Sequence, residues 1–427
     1  MSGSDVPRER VVIVGQGYVG LPLAMRAVEQ GHDVVGFDTD TAKTAALAAG
    51  TSFIEDIGDE RLQAALSSGR YLPSSDDADL AGFDIAVISV PTPLKEGMPD
   101  LSYMESSARQ LARHITPGAC VILESTTYPG TTEELVGPMI EEISGLEAGR
   151  DFQLGYSPER IDPGNTTWTL ETTPKVVSGI DEASLARVKG FYDTIVVRTV
   201  PVRSPREAEL TKLLENTFRH VNIALVNELA MFARDLGIDV WEAIDAAETK
   251  PFGFMAFRPG PGVGGHCLPI DPSYLSWKVK QSLGQTFRFV ELANEVNEHM
   301  PDYVIRRLVA ALNEKELAVK NRRILVLGLA YKKNTGDDRE SPSTRVVELL
   351  TMLDADVRVC DPHVDPSRSH VPDGVTFVEF GADELTAADA VVVLVDHDEF
   401  DLDLVGAKAR YVLDTRRCVT GPTVEHL

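Results

Sequence analysis

RVVIVGQGYVG, residues 10–20, decides the fold. A β-branched apolar run ends at Gly15, and glycine returns at Gly17 and Gly20. LPLAMRAVEQG then reads as a helix closed by Gly31, and HDVVGFDTD as a second strand ending in Asp38. FDIAVISVPTP and GACVILESTTYPG are two further buried-strand patterns. Continuous apolar strands alternating with helices predict a parallel, doubly wound sheet. The turn itself is GxGxxG. Gly15 permits the tight bend, Gly17 lets backbone amides approach a pyrophosphate, and Gly20 lets helix and strand pack closely. Tyr18 and Val19, inside the fingerprint, carry no signal beyond packing. The anion then lies at the positive end of the helix. Asp38 follows Gly15 by 23 residues, where a carboxylate binds both ribose hydroxyls. That selects NAD over a 2′-phosphorylated cofactor. Lys43, on the next helix, either neutralises a phosphate or is a solvated surface lysine.

The same order recurs from Arg322. RRILVLGLAYK is a strand ending in glycine, RVVELLTMLDA a helix, and ADVRVCDPHV a strand ending in Asp361. ADAVVVLVDH and ARYVLDTRR are two more strands. This second half has Gly328 but no GxGxxG, and Lys332 and Lys333 lie beside the turn. It suits a phosphate-bearing ligand other than NAD, such as a nucleotide diphosphate, or a Rossmann fold without a ligand. Between the halves, SPREAELTKLLENTFRHVNIALVNELAMFARDLGI opens on Ser-Pro and then holds no glycine or proline before Gly237. Its apolar residues fall near a 3.6 period, which predicts one long helix with faces free to pack on a second subunit. The expected fold is α/β: two Rossmann-like doubly wound domains joined by a central helical domain. The expected boundaries are 1–200, 201–314 and 315–427.

Bulk properties narrow the partners. The 427 residues are 43% hydrophobic and 25% charged, with a formal net charge of -25. Such an acidic chain disfavours nucleic acid and anionic membrane surfaces as partners. No apolar run approaches a membrane span, and no apolar signal region precedes the first strand. The four cysteines, Cys120, Cys267, Cys360 and Cys418, have neither zinc-site nor disulfide-framework spacing. No metal is expected, and the thiols read as reduced in a cytoplasmic protein.

One cysteine stands apart. Cys267 sits in PGPGVGGHCLPIDP, residues 259–272, where glycine and proline present it rather than bury it. With a dinucleotide site, this suggests aldehyde-level chemistry: a thiolate adds to an aldehyde, the adduct gives up hydride, and the thioester is hydrolysed. Lys212 and Asn216, four apart on one helix, share a face and are candidates to hold an oxyanion. Asp271 is a candidate to hold water or act as base. The alternatives are a solvated Lys212 and a Cys267 that is simply a small buried hydrophobe. His266 reads as a structural or substrate contact rather than as a general base.

These residues resemble the nucleotide-sugar 6-dehydrogenases: UDP-glucose 6-dehydrogenase and its UDP-N-acetylglucosamine and UDP-N-acetylmannosamine relatives. VVIVGQGYVGLPLA, SVPTP, ESTTYPGT, YSPERIDPGN, ELTKLLENTFRHVNIALVNELA, GPGVGGHCLPIDP and GLAYKKNTGDDRESPS carry the likeness along nearly the whole chain. The resemblance implies oxidation of C6 of a nucleotide-linked sugar from alcohol to carboxylate with two NAD+. It implies Cys267 as nucleophile, Lys212 and Asn216 as the oxyanion pair, and Asp271 in water activation. Thr126 matches a threonine that places water near the nicotinamide, and Glu159 a glutamate of water or proton handling. Thr92 and Arg339 match cofactor contacts, and Lys332 a lysine near the nucleotide. Arg160, Arg258, Gly264 and His266 are substrate-contact candidates, Arg258 towards a neighbouring subunit's site. The glucose enzymes typically read SPEFLREG and GGSC where this chain has SPERIDPG and GGHC, so Pro163 replaces their second acid. That wording resembles the N-acetylated branch, particularly the UDP-N-acetylglucosamine enzymes. A homodimer or higher homo-oligomer is expected. A two-electron 3-hydroxyacid dehydrogenase would leave the Cys267 loop and the second Rossmann domain without a role. A non-catalytic NAD-binding relative would carry damage at positions that are intact here.

Overall fold

A computed structural model describes residues 8–54, 57–95, 97–161, 167–265 and 268–427 of the protein. The chain forms two compact units: Met1–Glu215 with Ser273–Leu283, and Asn216–Pro272 with Gly284–Leu427.

The first unit is built on an eight-stranded sheet. Its strands are β1 (Arg10–Val14), β2 (Asp33–Phe37), β3 (Tyr71–Ser74), β4 (Ile85–Ile88), β7 (Cys120–Leu123), β8 (Gln153–Tyr156), β9 (Lys175–Gly179) and β10 (Thr199–Pro201). β5 (Leu94–Lys95) and β6 (Met98–Pro99) form a separate small hairpin. The spatial order is β10-β9-β8-β7-β4-β1-β2-β3, with every pair parallel except β8 and β9. Successive side chains of a strand point to opposite faces. Val11 and Ile13 therefore enter one buried cluster, and Val12 and Val14 the other. A sheet covered on both sides needs this unbroken apolar run, which is why β1 does not alternate with polar residues.

The second unit carries a six-stranded sheet of β11 (Arg323–Leu327), β12 (Asp356–Cys360), β13 (Thr376–Phe377), β14 (Ala390–Val393), β15 (Val412–Asp414) and β16 (Val424–His426). Its order is β13-β12-β11-β14-β15-β16, all parallel. Ile324 and Val326 face one core, Leu325 and Leu327 the other. The predicted pair of doubly wound folds is present, with the helical region between them. The long helix runs Pro205–Ala233, starting at the proline of Ser-Pro, whose missing N–H costs nothing in a first turn. Further helices span Val240–Glu248, Asp271–Leu283 and Arg288–Glu314.

Both sheets reverse their strand order beside the first strand, and such switch points are where open α/β sheets bind ligands. In the first, Val14 pairs with both Phe37 and Ile88, so Gly15 and Asp38 emerge together at the carboxyl edge. In the second, Leu327 pairs with Cys360, and Gly328 and Asp361 emerge likewise.

Candidate active site

The first turn has the shape its glycines predict. Gly15 has φ 93°, which is costly for other residues, and a Cβ there would stand 2.5 Å from the Ser89 carbonyl oxygen. A Cβ on Gly20 would lie 1.8 Å from the Gly15 oxygen, so that contact of helix and turn requires glycine. Gly17 differs: nothing lies within 4 Å of its Cβ position. The open space lies at the start of the helix Gly20–Glu29, whose N-cap, Val19, makes no side-chain capping bond and whose first turn holds no acid. These are the properties an anion needs at a helix N-terminus, and they fit the pyrophosphate of a dinucleotide. Tyr18 is exposed and Val19 partly so. Asp38 is buried; its Oδ2 accepts the Gln16 N–H at 2.9 Å and Lys43 Nζ at 2.8 Å. Lys43 thus stands against the aspartate.

Gln16 carries no sequence signal, yet it is fully buried. Its Nε2 donates to the Ile13 carbonyl at 2.9 Å, and its Oε1 accepts from Tyr71 at 2.7 Å. It braces the turn from beneath.

The second turn uses its aspartate differently. Asp361 Oδ2 accepts the N–H groups of Leu329 at 2.7 Å and Ala330 at 3.0 Å, and pairs with His397 Nε2 at 3.0 Å. Burial pushes this carboxyl up. The hydrogen bond and field of the His397 ring, with the two amides, override burial and hold it at about 2. In this turn the protein's own carboxylate takes up the Leu329 and Ala330 amides, where in the first fold Asp38 takes the Gln16 amide. Lys332, partly buried, follows this turn, and Lys333 pairs with Asp398 at 2.7 Å. Arg339 pairs with Asp337 at 2.7 Å.

Cys267 and His266 lie outside the described residues, as do residues 162–166, including Pro163. The approach to Cys267 is described. A Cβ on Gly264 would stand 2.7 Å from the Glu340 carbonyl oxygen, and one on Gly265 2.8 Å from the Tyr331 ring. The glycine pair lets this loop lie directly on the second Rossmann-like fold. Asp271, buried in the first turn of Asp271–Leu283, accepts from Asn216 Nδ2 at 2.6 Å. Gly260 N–H donates to Asn227 Oδ1 at 3.0 Å, and Asn227 Nδ2 donates to Asn297 at 2.9 Å. This buried amide network ties the loop to two helices. Arg258 pairs with Asp245 at 2.8 Å and Glu248 at 2.6 Å, and lines a cavity of about 390 Å³ with Arg416 and Arg417.

In the first unit, Thr126 is buried just beyond β7 and the Thr92 carbonyl accepts from Tyr274 at 3.0 Å. Glu159 is also buried. Its Oε1 accepts the N–H groups of Arg160 and Ile161, each at 2.6 Å, and its Oε2 accepts Lys175 Nζ at 3.1 Å. Lys175 also bonds Glu124. Burial opposes ionisation of Glu159, but Lys175 and then Lys212 draw its carboxyl below the ordinary value. Arg160 turns to Glu215 at 2.6 Å and to the Pro174 carbonyl at 2.7 Å.

Comparison with known proteins identifies the family of the chain. Three family descriptions match in order along the chain. They are the NAD binding domain of the UDP-glucose/GDP-mannose dehydrogenase family over residues 9–196, its central domain over 206–299, and its UDP binding domain over 325–421. The chain belongs to the UDP-glucose/GDP-mannose dehydrogenase family.

Within that family it is similar to UDP-N-acetyl-D-mannosamine dehydrogenase of Pyrococcus horikoshii, at 36% identity over 97% of each chain. It is similar to UDP-N-acetyl-D-glucosamine 6-dehydrogenase of Pseudomonas aeruginosa, at 36% identity over 92% of this chain and 91% of the relative. Among solved structures, a UDP-glucose dehydrogenase of Pyrobaculum islandicum superposes with a TM-score of 0.88 at 30% identity, covering 100% of this chain and 98% of that one. The protein is an NAD-dependent UDP-sugar dehydrogenase, an oxidoreductase with NAD as cofactor. Its first fold supplies the open Gly17 approach, and its second bears the family's UDP binding domain.

Motif reading passes over several buried polar residues that hold these turns and strands: Gln16, Glu124, Lys175, Asn227 and Glu209. Glu209, on the long helix, accepts the N–H groups of Gly130 at 2.5 Å and Thr132 at 2.9 Å, fixing the turn that follows Thr126. Burial pushes its carboxyl up to about 7. Only Lys175 carried a readable cue, an ionisable residue opening the short strand KVVSG ahead of two valines.

Proposed function

We propose that the protein oxidises C6 of UDP-N-acetylglucosamine to the carboxylate in two successive two-electron steps. The observation that carries the reading is the 2.6 Å bond from Asn216 to Asp271. It orients a buried carboxylate four residues beyond Cys267, using the helix that also bears Lys212.

NAD accepts a hydride in each oxidation. Around it the chain's residues divide the work. Gly15, Gly17 and Gly20 shape the pyrophosphate turn, and Asp38 meets the ribose. Thr92 and Arg339 are further cofactor contacts. Lys212 and Asn216 hold the sugar oxygen as it gains negative charge. The Cys267 thiolate adds to the aldehyde carbon, giving a thiohemiacetal, and loss of hydride and a proton leaves the thioester. Water, placed by Thr126 and Glu159 and activated by Asp271, attacks the thioester carbonyl. The carbon–sulfur bond breaks and the thiol returns. One alcohol, one water and two NAD+ give one carboxylate, two NADH and protons. Lys332 meets the nucleotide, and Arg160, Arg258, Gly264 and His266 the sugar side. The cofactor is assigned to residues 1–200, the catalytic loop to 201–314 and the UDP-sugar to 315–427.

SPERIDPG and GGHC support an acetamido sugar, and the relatives named above include two that act on one. UDP-N-acetylmannosamine is the second reading, favoured by the Pyrococcus relative's 97% coverage. The test is NADH formed at completion with limiting sugar. Two NADH per UDP-N-acetylglucosamine, and none from UDP-N-acetylmannosamine or UDP-glucose, is expected. Two from another sugar alone moves the substrate and keeps the mechanism. One per sugar removes the role given to Cys267.

We further propose a cytoplasmic homodimer. No described helix is long and apolar enough to cross a membrane, and Cys120, Cys360 and Cys418 are free thiols. The long helix leaves Phe218, Leu225, Leu229 and Phe232 exposed.

A further inference from the structure

Lys175 lies at the start of β9, buried, with its ammonium between two carboxylates. One is Glu159, at 3.1 Å; the other is Glu124, which directly follows β7. Glu124 is 1% exposed, and its Oε2 has no hydrogen-bond partner among the described residues. Lys212 acts electrostatically on both acids, and Tyr192 presents its ring to the ammonium at 5.2 Å. The group therefore holds two buried acids and two buried lysines, of which only Lys212 and Glu159 have a place in the reaction.

We infer that Lys175 is a positioning residue for the oxidation: with Glu124 behind it, it fixes the orientation and the ionised state of Glu159. The inference rests on the role given to Glu159 under the proposed function. The geometry explains why such a device is present. Glu159 Oε1 is fixed by two backbone amides, which leaves the rotation of the carboxylate to be set at Oε2, where Lys175 donates. Without a cation, two buried carboxylates would share one site and one of them would hold a proton. A protonated Glu159 neither accepts a proton from water nor keeps Lys212 company as a counter-ion. Glu124 has a second effect. It prevents Lys175 from forming a tight, exclusive pair with Glu159, so the carboxylate is held ionised while remaining basic.

The test compares Lys175→Met, Lys175→Met with Glu124→Gln, and Glu124→Gln alone in the full-length enzyme, using kcat against pH with saturating NAD+ and UDP-sugar. Besides Glu124, Glu159 and Lys175, the groups facing this cluster are Lys212 and Tyr192, and all variants leave them in place. Lys175→Met should lower kcat about 100-fold, the range for loss of a positioned acid–base group. It should change neither KM more than about threefold, and it should move the acid limb up by at least about one pH unit. Adding Glu124→Gln removes the competing acid and should return the limb towards the wild-type position. Glu124→Gln alone keeps shape and contact, survives as a folded protein if Lys175→Met does not, and should move the limb down. A Lys175→Met enzyme with wild-type kcat, or one whose limb stays put and is not restored by Glu124→Gln, overturns the inference. So does a Glu124→Gln limb that stays or rises. Glu159→Gln separates the layers: full activity in that variant refutes the role of Glu159 itself, whatever Lys175 does.

Discussion

Asp38 and Asp361 occupy matching places, each just beyond the second strand of a Rossmann-like sheet, and they do different work. Asp38 accepts the Gln16 amide of the glycine turn and a lysine; Asp361 accepts the Leu329 and Ala330 amides of its turn, those of His363 and Val364 after it, and a buried histidine. The first leaves the turn open at Gly17, and the second closes its turn upon itself. Asp361 is therefore a stability residue, and the sign of its pH dependence follows. Its carboxyl falls from 3.8 to about 2 on folding. A depressed carboxyl contributes stability that is present above the unfolded value and lost as pH falls through the folded one. The shift corresponds to about 2 kcal/mol. Asp361→Asn should cost at least about that much near neutral pH. The gap between wild type and variant should narrow as denaturation is followed from pH 4 down to about 2. A gap that stays constant over that window would show that the amide contacts, rather than the charge, hold the turn.

At the scale of elements, the first turn separates folding from binding with two glycines three residues apart. Gly20→Ala would drive a methyl to 1.8 Å from the Gly15 oxygen, and either the helix or the turn must move. Gly17→Ala meets nothing within 4 Å and should fold with an unchanged melting temperature. Its methyl would fill the space left for the pyrophosphate. The KM for NAD+ should rise about tenfold or more, a cost of about 1.4 kcal/mol, while that for the sugar stays level. Equal rises in both would place the pyrophosphate elsewhere. This turn was legible because GxGxxG, strand, helix and aspartate stand in register within one short segment. Both sheets were legible because a strand buried on two faces must be apolar without interruption. The Glu124–Lys175–Glu159 group was not: its members come from β9 and from the segments after β7 and β8, and no local pattern records that the sheet brings them together. The same holds for Asn227, which reads as an ordinary polar residue in a helix until Gly260 is found on its side chain. Gly264 and Gly265, whose missing side chains permit contact with Glu340 and Tyr331, seat the described part of the loop, and no periodicity in the sequence records that contact.

For the whole molecule, the long helix raises the question of assembly. In the second unit it exposes Phe218, Leu225, Leu229 and Phe232, at 46%, 53%, 36% and 46%. Their spacings of seven, four and three place them on one stripe of the helix. The helix Arg288–Glu314 adds Phe289 and Leu292 to the apolar surface of that unit. A stripe of this kind along a helix costs free energy in water and marks an interaction site rather than random exposure. An isologous pair of identical helices is the simplest cover, since a twofold axis makes one apolar face serve both partners. Light scattering should accordingly give twice the chain mass of 46.5 kDa. Leu225→Asp with Leu229→Asp alters exposed positions only, so each chain should keep its fold and its near-native circular dichroism. The mass should fall to that of one chain, and the loss of activity should reveal whether the partner completes the site. If the double variant remains a dimer, another surface joins the copies and this stripe must be covered by something else.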